Sequence, residues 1–303
     1  MQAKNAASPL SPLTESSIRS ALGMMVVLFK LRSVVLLVLA SLGGALLAAD
    51  RHVSLGAMVL LIVTGVMSSA GASALNQYIE REQDTMMQRT RRRPLAMGNV
   101  SRINGVLVVS TGLVVGSILI ALPVNSALAF FLALGALIYV GVYTLWLKPR
   151  TLLNIVLGGA AGSCAVLSGS AAVGNWSNPS AISLALLVFA WTPIHFWSLA
   201  LAYREDYARA RVPMLPVVSS PRASAWWIAL HSGAAALATV FLSVDPMLGW
   251  LYLIPIAVFT AWLGWHTIRL IVTPGKVQAL RLFHASNIYL GVVLFVIYIR
   301  VLF

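Results

Sequence analysis

Polar and apolar positions alternate along this chain in long blocks rather than with a short period. Runs of about 20 mostly apolar residues, the length a helix needs to cross a bilayer, occur at roughly 25–49, 53–75, 103–122, 126–147, 152–173, 180–203, 223–243, 247–271 and 283–302. Polar stretches separate them at 76–102, 148–151, 204–222 and 272–282, and the remaining connections (50–52, 123–125, 174–179, 244–246) are short. The pattern predicts an all-α, polytopic membrane protein: a nine-transmembrane-helix bundle spanning 24–303, preceded by a polar, partly disordered cytosolic tail over 1–23.

Composition supports this reading. Of 303 residues, 59% are hydrophobic and 10% charged, and the mean hydropathy is +0.89; a soluble domain needs far more charge to cover its surface. The single cysteine, Cys164, excludes an internal disulfide and lies in an apolar stretch. The N-terminal residues lack the apolar core and small-residue cleavage site of a signal peptide. Gly43-Gly44 and the glycines of 158–162 suit close helix packing.

Charge then orients the bundle. With nine spans, the N-terminus and the four long polar connections share one side. All Lys and Arg residues except Arg51 and Arg300 lie on that side or at the adjacent helix ends. This asymmetry is the positive-inside pattern. It predicts a cytosolic N-terminus and a C-terminus on the opposite side. It also accounts for the net charge of +13 without nucleic acid, and leaves some attraction to anionic membrane lipid.

Topology does not account for the acidic residues. Five of the eight, Glu80, Glu82, Asp84, Glu205 and Asp206, sit in two of the polar stretches. In "NQYIEREQDTMMQRTRRRPL" (76–95), Asn76, Glu80 and Asp84 recur every four residues. If the second helix continues that far, they share a face. One amide and two carboxylates suit a hard cation: Mg²⁺ takes one or two protein carboxylates and completes its shell with water and phosphates. The arginines at 89 and 91–93 then suit the same phosphates, although a merely solvated loop is the plainer reading. "YREDYARARVPMLPV" (203–217) offers either a weaker ligand set or a local salt-bridge cluster. Lys148 and Arg150 end the fourth helix as interfacial anchors or phosphate contacts. His195, about 13 Å into the membrane by helical rise, is a candidate substrate contact because polar residues at depth are costly. His284 is a weaker candidate. His231 and His266 read as packing residues, and His52 as exposed.

The run N-x-x-x-E-R-E-x-D followed by R-T-x-x-R-P-L (76–84, 89–95) resembles the first signature of the UbiA superfamily of membrane prenyltransferases. YTLWLKPRTLLNIVLGGAAG (143–162), WTPIHFWSLAL (191–201) and DYARARVPMLPV (206–217) resemble its haem-farnesylating branch. The resemblance runs from about residue 24 to the C-terminus. It implies a nine-helix transferase of the bacterial plasma (inner) membrane, with farnesyl diphosphate and protohaem IX as substrates. The farnesyl group would pass to the haem 2-vinyl group with water addition, giving haem O for terminal oxidases, with haem A synthase as a partner. It implies Mg²⁺ held by Asn76, Glu80, Asp84 and Asp206, with Lys148 also catalytic. It implies diphosphate contacts at Arg81, Arg89 and Arg93, a basic pair at Lys30 and Arg32, and Tyr207 in the second motif; His195 is assigned to haem.

The chain departs from that pattern in places. Glu80 stands where the family usually has Asp and Glu82 where it often does, Leu31 where it usually and Ile194 where it often has Pro, and Glu205-Asp206, as the haem-farnesylating branch tends to have, where the superfamily often has D-x-x-x-D. Two rival readings are a prenyltransferase for a quinone precursor or tetrapyrrole acid, and a secondary transporter. Against the transporter, the acids lie in loops rather than at the membrane centre, where coupling ions bind.

Overall fold

The computed structural model describes residues 15–49, 54–100 and 102–303. Helices run α1 Glu15–Leu28, α2 Leu31–Ala48, α3 Leu55–Met86, α4 Ile103–Ala121, α5 Ser126–Ala136, α6 Asn154–Gly158, α7 Ala160–Ala172, α8 Pro179–Ala202, α9 Arg204–Arg209, α10 Leu215–Val218, α11 Pro221–Leu242, α12 Gly249–Val272 and α13 Lys276–Leu302. A π-helical segment, Leu137–Leu147, continues α5. The described residues contain nine helical stretches long and apolar enough to cross a membrane. Helix satisfies every backbone donor and acceptor within the segment, which lipid requires.

Local sequence sets several helix starts. Asn178 accepts hydrogen bonds from the backbone N–H groups of Ser180 (2.9 Å) and Ala181 (3.0 Å), with Pro179 at the first helical position of α8. Ser220 and Pro221 repeat the device at α11, and Asn125 accepts from Leu128 N at α5. Such caps satisfy N–H groups that have no intrahelical partner.

Four boundaries differ from the sequence reading, each for a local reason. The first apolar run is broken: α1 begins at Glu15, inside the stretch expected to be tail. Lys30 takes a left-handed conformation (φ 47°) between α1 and α2. The second span continues 11 residues beyond the expected end and carries the whole polar row to Met86; no Gly or Pro in 76–86 breaks the helix, and Gln77, Glu80, Arg81, Glu82, Gln83 and Met86 are good helix formers. The fourth span changes pitch at Leu137, and Lys148 N bonds Tyr143 O, five residues back. The last span starts at Lys276, so the polar connection expected over 272–282 contracts to 273–275. Arg51, His52 and Lys4 lie outside the described residues.

Helix α8 is the hub, packing on α7, α11, α13 and α2. Its most apolar window is 72% buried against 11% for α4, which places α8 at the centre and α4 at the lipid edge. On the other side α2, α3, α4, α5 and α7 pack on one another. Small residues set the closest approach: a Cβ on Gly169 of α7 would meet the Ser41 carbonyl of α2, and one on Gly44 would meet that of Val166. Apolar side chains such as Val108, Leu119, Phe241 and Trp250 stay exposed, as a lipid-facing surface allows.

Candidate active site

The extension of α3 puts Asn76, Glu80 and Asp84 on one buried stripe, each 4% exposed or less. A buried carboxylate without a partner costs several kcal/mol, so the surroundings of this stripe are informative. Each member of the row meets a cation. Lys30 Nζ donates to Asn76 Oδ1 at 2.6 Å. Lys148 Nζ donates to Glu80 Oε1 at 2.5 Å. Arg93 Nη1 donates to both oxygens of Asp84, at 2.9 and 2.7 Å.

Three different segments supply these cations. Lys30 comes from the α1–α2 break, whose carbonyls at Val27 and Leu28 accept hydrogen bonds from Gln77 Nε2 of α3. Lys148 closes the π-helical segment. Arg93 comes from the turn after α3, where Thr90 Oγ1 donates to the Asp84 carbonyl. The π-helical segment also contributes Thr144, whose hydroxyl accepts from Asn76 Nδ2 (3.1 Å) while donating to the Tyr139 carbonyl (2.7 Å). Tyr139 OH accepts from Lys30 Nζ (3.2 Å), and the Tyr139 and Tyr143 rings stack at 5.9 Å. A change of pitch in this segment, of the kind often found at functional sites, thus directs three residues at the α3 row.

The cations affect one another. Burial and the nearby Arg93 charge pull Lys30 down to about 7, with Lys148 adding to the effect and Glu80 and Asp84 opposing it. Burial also works against the Lys148 charge, but Glu80, Tyr143 and Tyr207 more than offset it and hold the ammonium above the ordinary lysine range. Glu80 thus holds the Lys148 charge firmly, while burial and Arg93 make Lys30 the more easily discharged of the two.

The second motif forms α9. Asp206 and Tyr207 are buried, Arg209 donates to Asp206 Oδ1, and Asp206 Oδ2 is buried with no hydrogen-bond partner among the described residues. Tyr207 lies within electrostatic reach of Lys148, which brings α9 toward the α3 row. Glu205 is exposed.

Other expected site residues make no hydrogen bond to the row, although the Arg89 charge reaches Tyr143. Arg81 turns to its own helix, donating to the Tyr78 carbonyl and pairing with exposed Glu82. Arg32 and Arg89 are exposed and have no hydrogen-bond partner among the described residues. His195 packs between Trp191 and Phe283, with its Nδ1 3.4 Å from Ser286 Oγ at the α8–α13 contact. None of its partners belongs to the α3 cluster. Sequence reasoning missed Thr144, Tyr139 and Gln77. Thr144 and Tyr139 sit in an apolar span and Gln77 in the charged stretch, and their uncharged side chains carry no pattern of their own.

Among the described residues no three His, Cys, Asp or Glu side chains converge on one point. The oxygens are instead spread along α3 and α9 and interleaved with cations. This donor set cannot cage a metal by itself but suits an anion carrying one: Mg²⁺ keeps one or two protein carboxylates and fills its shell with phosphate oxygens and water. The unpartnered Asp206 oxygen fits the same requirement.

The fold and this cluster define a multi-pass membrane protein with a charged, oxygen-rich site at one end of its bundle. Residues 36–289 match the UbiA prenyltransferase family, and the chain belongs to that family. Among curated relatives it is 40% identical to a protoheme IX farnesyltransferase of Saccharolobus islandicus over 270 residues, covering 89% of this chain and 94% of the relative. It is 41% identical to the protein of that name from Metallosphaera sedula, covering 89% and 93%. The fold resembles a digeranylgeranylglyceryl phosphate synthase (TM-score 0.77, 17% identity, 93% of this chain and 99% of the other). It also resembles an Archaeoglobus fulgidus UbiA homologue bound to GPP and Mg²⁺ (TM-score 0.63, 16% identity, 90% and 99%). Membership of this family sets aside the transporter reading.

Proposed function

We propose that this protein transfers the farnesyl group of farnesyl diphosphate to the 2-vinyl group of protohaem IX, with water addition and release of diphosphate, giving haem O. The observation that carries the reading is the buried Asn76–Glu80–Asp84 row with its matched cations, in a chain about 40% identical to protoheme IX farnesyltransferases over most of its length.

Asn76, Glu80, Asp84 and Asp206 would hold Mg²⁺, which when bound supplies positive charge to the diphosphate leaving group. Lys30, Lys148 and Arg93 already lie along the row, so they exchange part of their carboxylate and amide contacts for diphosphate oxygens. Charge held in place before the reaction stabilises the anion that develops as the allylic C–O bond breaks. Arg89 and Arg32, exposed and without partners among the described residues, suit the outer phosphate and its approach; Arg81 suits electrostatic steering at the rim. The farnesyl chain extends into the apolar bundle, where exclusion of water protects the cation until the vinyl group attacks. Because the electrophile is activated, the site needs no strong base, and it offers none: its carboxylates are tied to cations. His195, ringed by Trp191, Phe196 and Phe283, suits contact with the haem face, and Tyr207 supports Lys148.

The charge asymmetry supports a site on the cytosolic face of the plasma membrane, with the N-terminus on that side. Haem O released into the bilayer then suits haem A synthase as the next enzyme. Membranes containing the protein, supplied with haem b, farnesyl diphosphate and Mg²⁺, should yield haem O by mass spectrometry. A prenylated quinone precursor in place of haem O would sink the acceptor assignment and leave the prenyl-transfer chemistry standing.

A further inference from the structure

A second basic site lies at the α12–α13 hairpin, away from the α3 cluster. Trp265, His266 and Arg269 of α12 and Gln278 and Arg281 of α13 line a cavity of about 170 Å³. None of them hydrogen-bonds or pairs with the α3 row, and α12 packs on α11 and α13 rather than on α3.

The arrangement is selective. Arg269 is one turn from Trp265, and its guanidinium lies 5.8 Å from that ring, a cation–π contact that restricts its rotamers. Trp262 meets the His266 ring edge-on at 5.0 Å. Arg281 is one turn from Gln278 on the facing helix. Lys276, nearest the turn, goes the other way, over the Tyr203 ring. The hairpin therefore holds two arginines, an imidazole and an amide at one point.

The charge of this group is not balanced from within. Neither arginine has a carboxylate partner among the described residues; the four ion pairs there join Glu80, Glu82, Asp84 and Asp206 to Lys148, Arg81, Arg93 and Arg209. The two guanidiniums line one cavity, so an anion between them would be attracted by both. Arg prefers anions that can take two N–H groups at once, and phosphate is the commonest such group at a membrane surface. Trp265 is exposed, at the interfacial level where tryptophans concentrate.

We infer that Arg269, Arg281, His266 and Gln278 form a binding site for a phosphate group at the cytosolic end of the α12–α13 hairpin, with Trp265 as its lipid-side wall. The site is separate from the diphosphate site, and it stands whether or not the prenyl acceptor is haem. An anionic phospholipid headgroup and free phosphate both carry this chemistry, and the experiment separates them.

The full-length protein is reconstituted in phosphatidylcholine nanodiscs with a minor fraction of phosphatidylglycerol. Retained lipid is then counted by native mass spectrometry, for wild type and for the Arg269→Gln/Arg281→Gln double variant. The wild type should retain phosphatidylglycerol in excess of its share of the bilayer. The variant should lose that excess, with affinity down about tenfold or more, the equivalent of one lost charge-assisted hydrogen bond. A parallel titration uses inorganic phosphate on protein in phosphatidylcholine alone, followed by thermal shift. Stabilisation of the wild type that the variant lacks, without phosphatidylglycerol enrichment, assigns the site to soluble phosphate. Equal responses of wild type and variant to both probes, or no response of the wild type to either, overturn the site. If the double variant does not fold, Arg281→Gln alone decides, because Arg281 is exposed and supports no packing.

Discussion

Lys148 Nζ lies 2.5 Å from Glu80 Oε1, tying the last turn of the π-helical segment to the middle of the α3 row across 68 residues of chain. The contact does two things. It offsets the cost of a buried carboxylate, and it holds an ammonium whose charge Glu80 favours beside the proposed diphosphate site. Replacing Lys148 with Met should lower turnover by about 10²–10³-fold, the size of losing one fixed charge donor at a transition state. Lys148→Arg should recover part of it, because charge remains while geometry changes. Steady-state assays of haem O formation on both variants, with protein levels matched in membranes, check this. A Lys148→Met enzyme within twofold of wild type would remove Lys148 from the site.

Asp84 and Arg93 form the one two-pronged ion pair of the cluster. Asp84→Ala should abolish turnover while leaving membrane insertion intact. The two sides of the pair should also behave differently. Arg93→Ala should chiefly raise KM for farnesyl diphosphate, and Asp84→Ala should remove the response to added Mg²⁺. Turnover of Arg93→Ala over a range of farnesyl diphosphate, and farnesyl diphosphate binding by Asp84→Ala with and without Mg²⁺, separate these outcomes. A fully active Asp84→Ala enzyme would sink the metal assignment.

Much of this was legible in the chain before any coordinates. Length and apolarity set nine spans, because lipid leaves a spanning segment few alternatives to helix. The spacing of Asn76, Glu80 and Asp84 showed the row as soon as the helix was allowed to continue. What the pattern could not show was which partner each acid takes, because Lys30, Arg93 and Lys148 come from three separate segments. Nor did it show the break at Lys30 or the change of pitch at Leu137. The change of pitch lies in uniformly apolar sequence, where hydropathy is blind to pitch; Lys30 and Arg32 read as a basic pair within one apolar run; and Gln77 and Thr144, which fix those features in place, read as ordinary polar interruptions. His195 stood out for its depth, but depth alone did not reveal its aromatic surroundings.

The α2–α7 contact gives a stability prediction independent of the chemistry. Gly169→Ala would drive a Cβ into the Ser41 carbonyl, which is backbone and cannot swing away. The helices must separate, at a cost of about 1–3 kcal/mol. The melting temperature in detergent should fall clearly. Gly112→Ala on α4, where an added Cβ meets nothing within 4 Å, should leave it unchanged or raise it slightly, since alanine is the better helix former. Equal melting temperatures for the two variants would show that α2 and α7 do not approach as closely as the structure has them.

Glu80 carries one methylene more than aspartate, and that longer arm has a use in this structure. The carboxylate lies against Lys148, whose backbone belongs to a segment of π-helical pitch. Glu80→Asp draws the carboxylate back by about one methylene. The ion pair must then stretch or α3 must shift, and either change reduces the charge held against the leaving group. The aspartate variant should remain a working enzyme with about tenfold lower kcat/KM, because a carboxylate is still present but displaced. Glu80→Gln, which keeps the length and loses the charge, should fall much further. The pattern expected at high Mg²⁺ is partial rescue of Glu80→Asp and none of Glu80→Gln, since only the former retains an anionic ligand. A Glu80→Asp enzyme as active as wild type at every Mg²⁺ concentration would mean that the Lys148 contact does not set the carboxylate's working position.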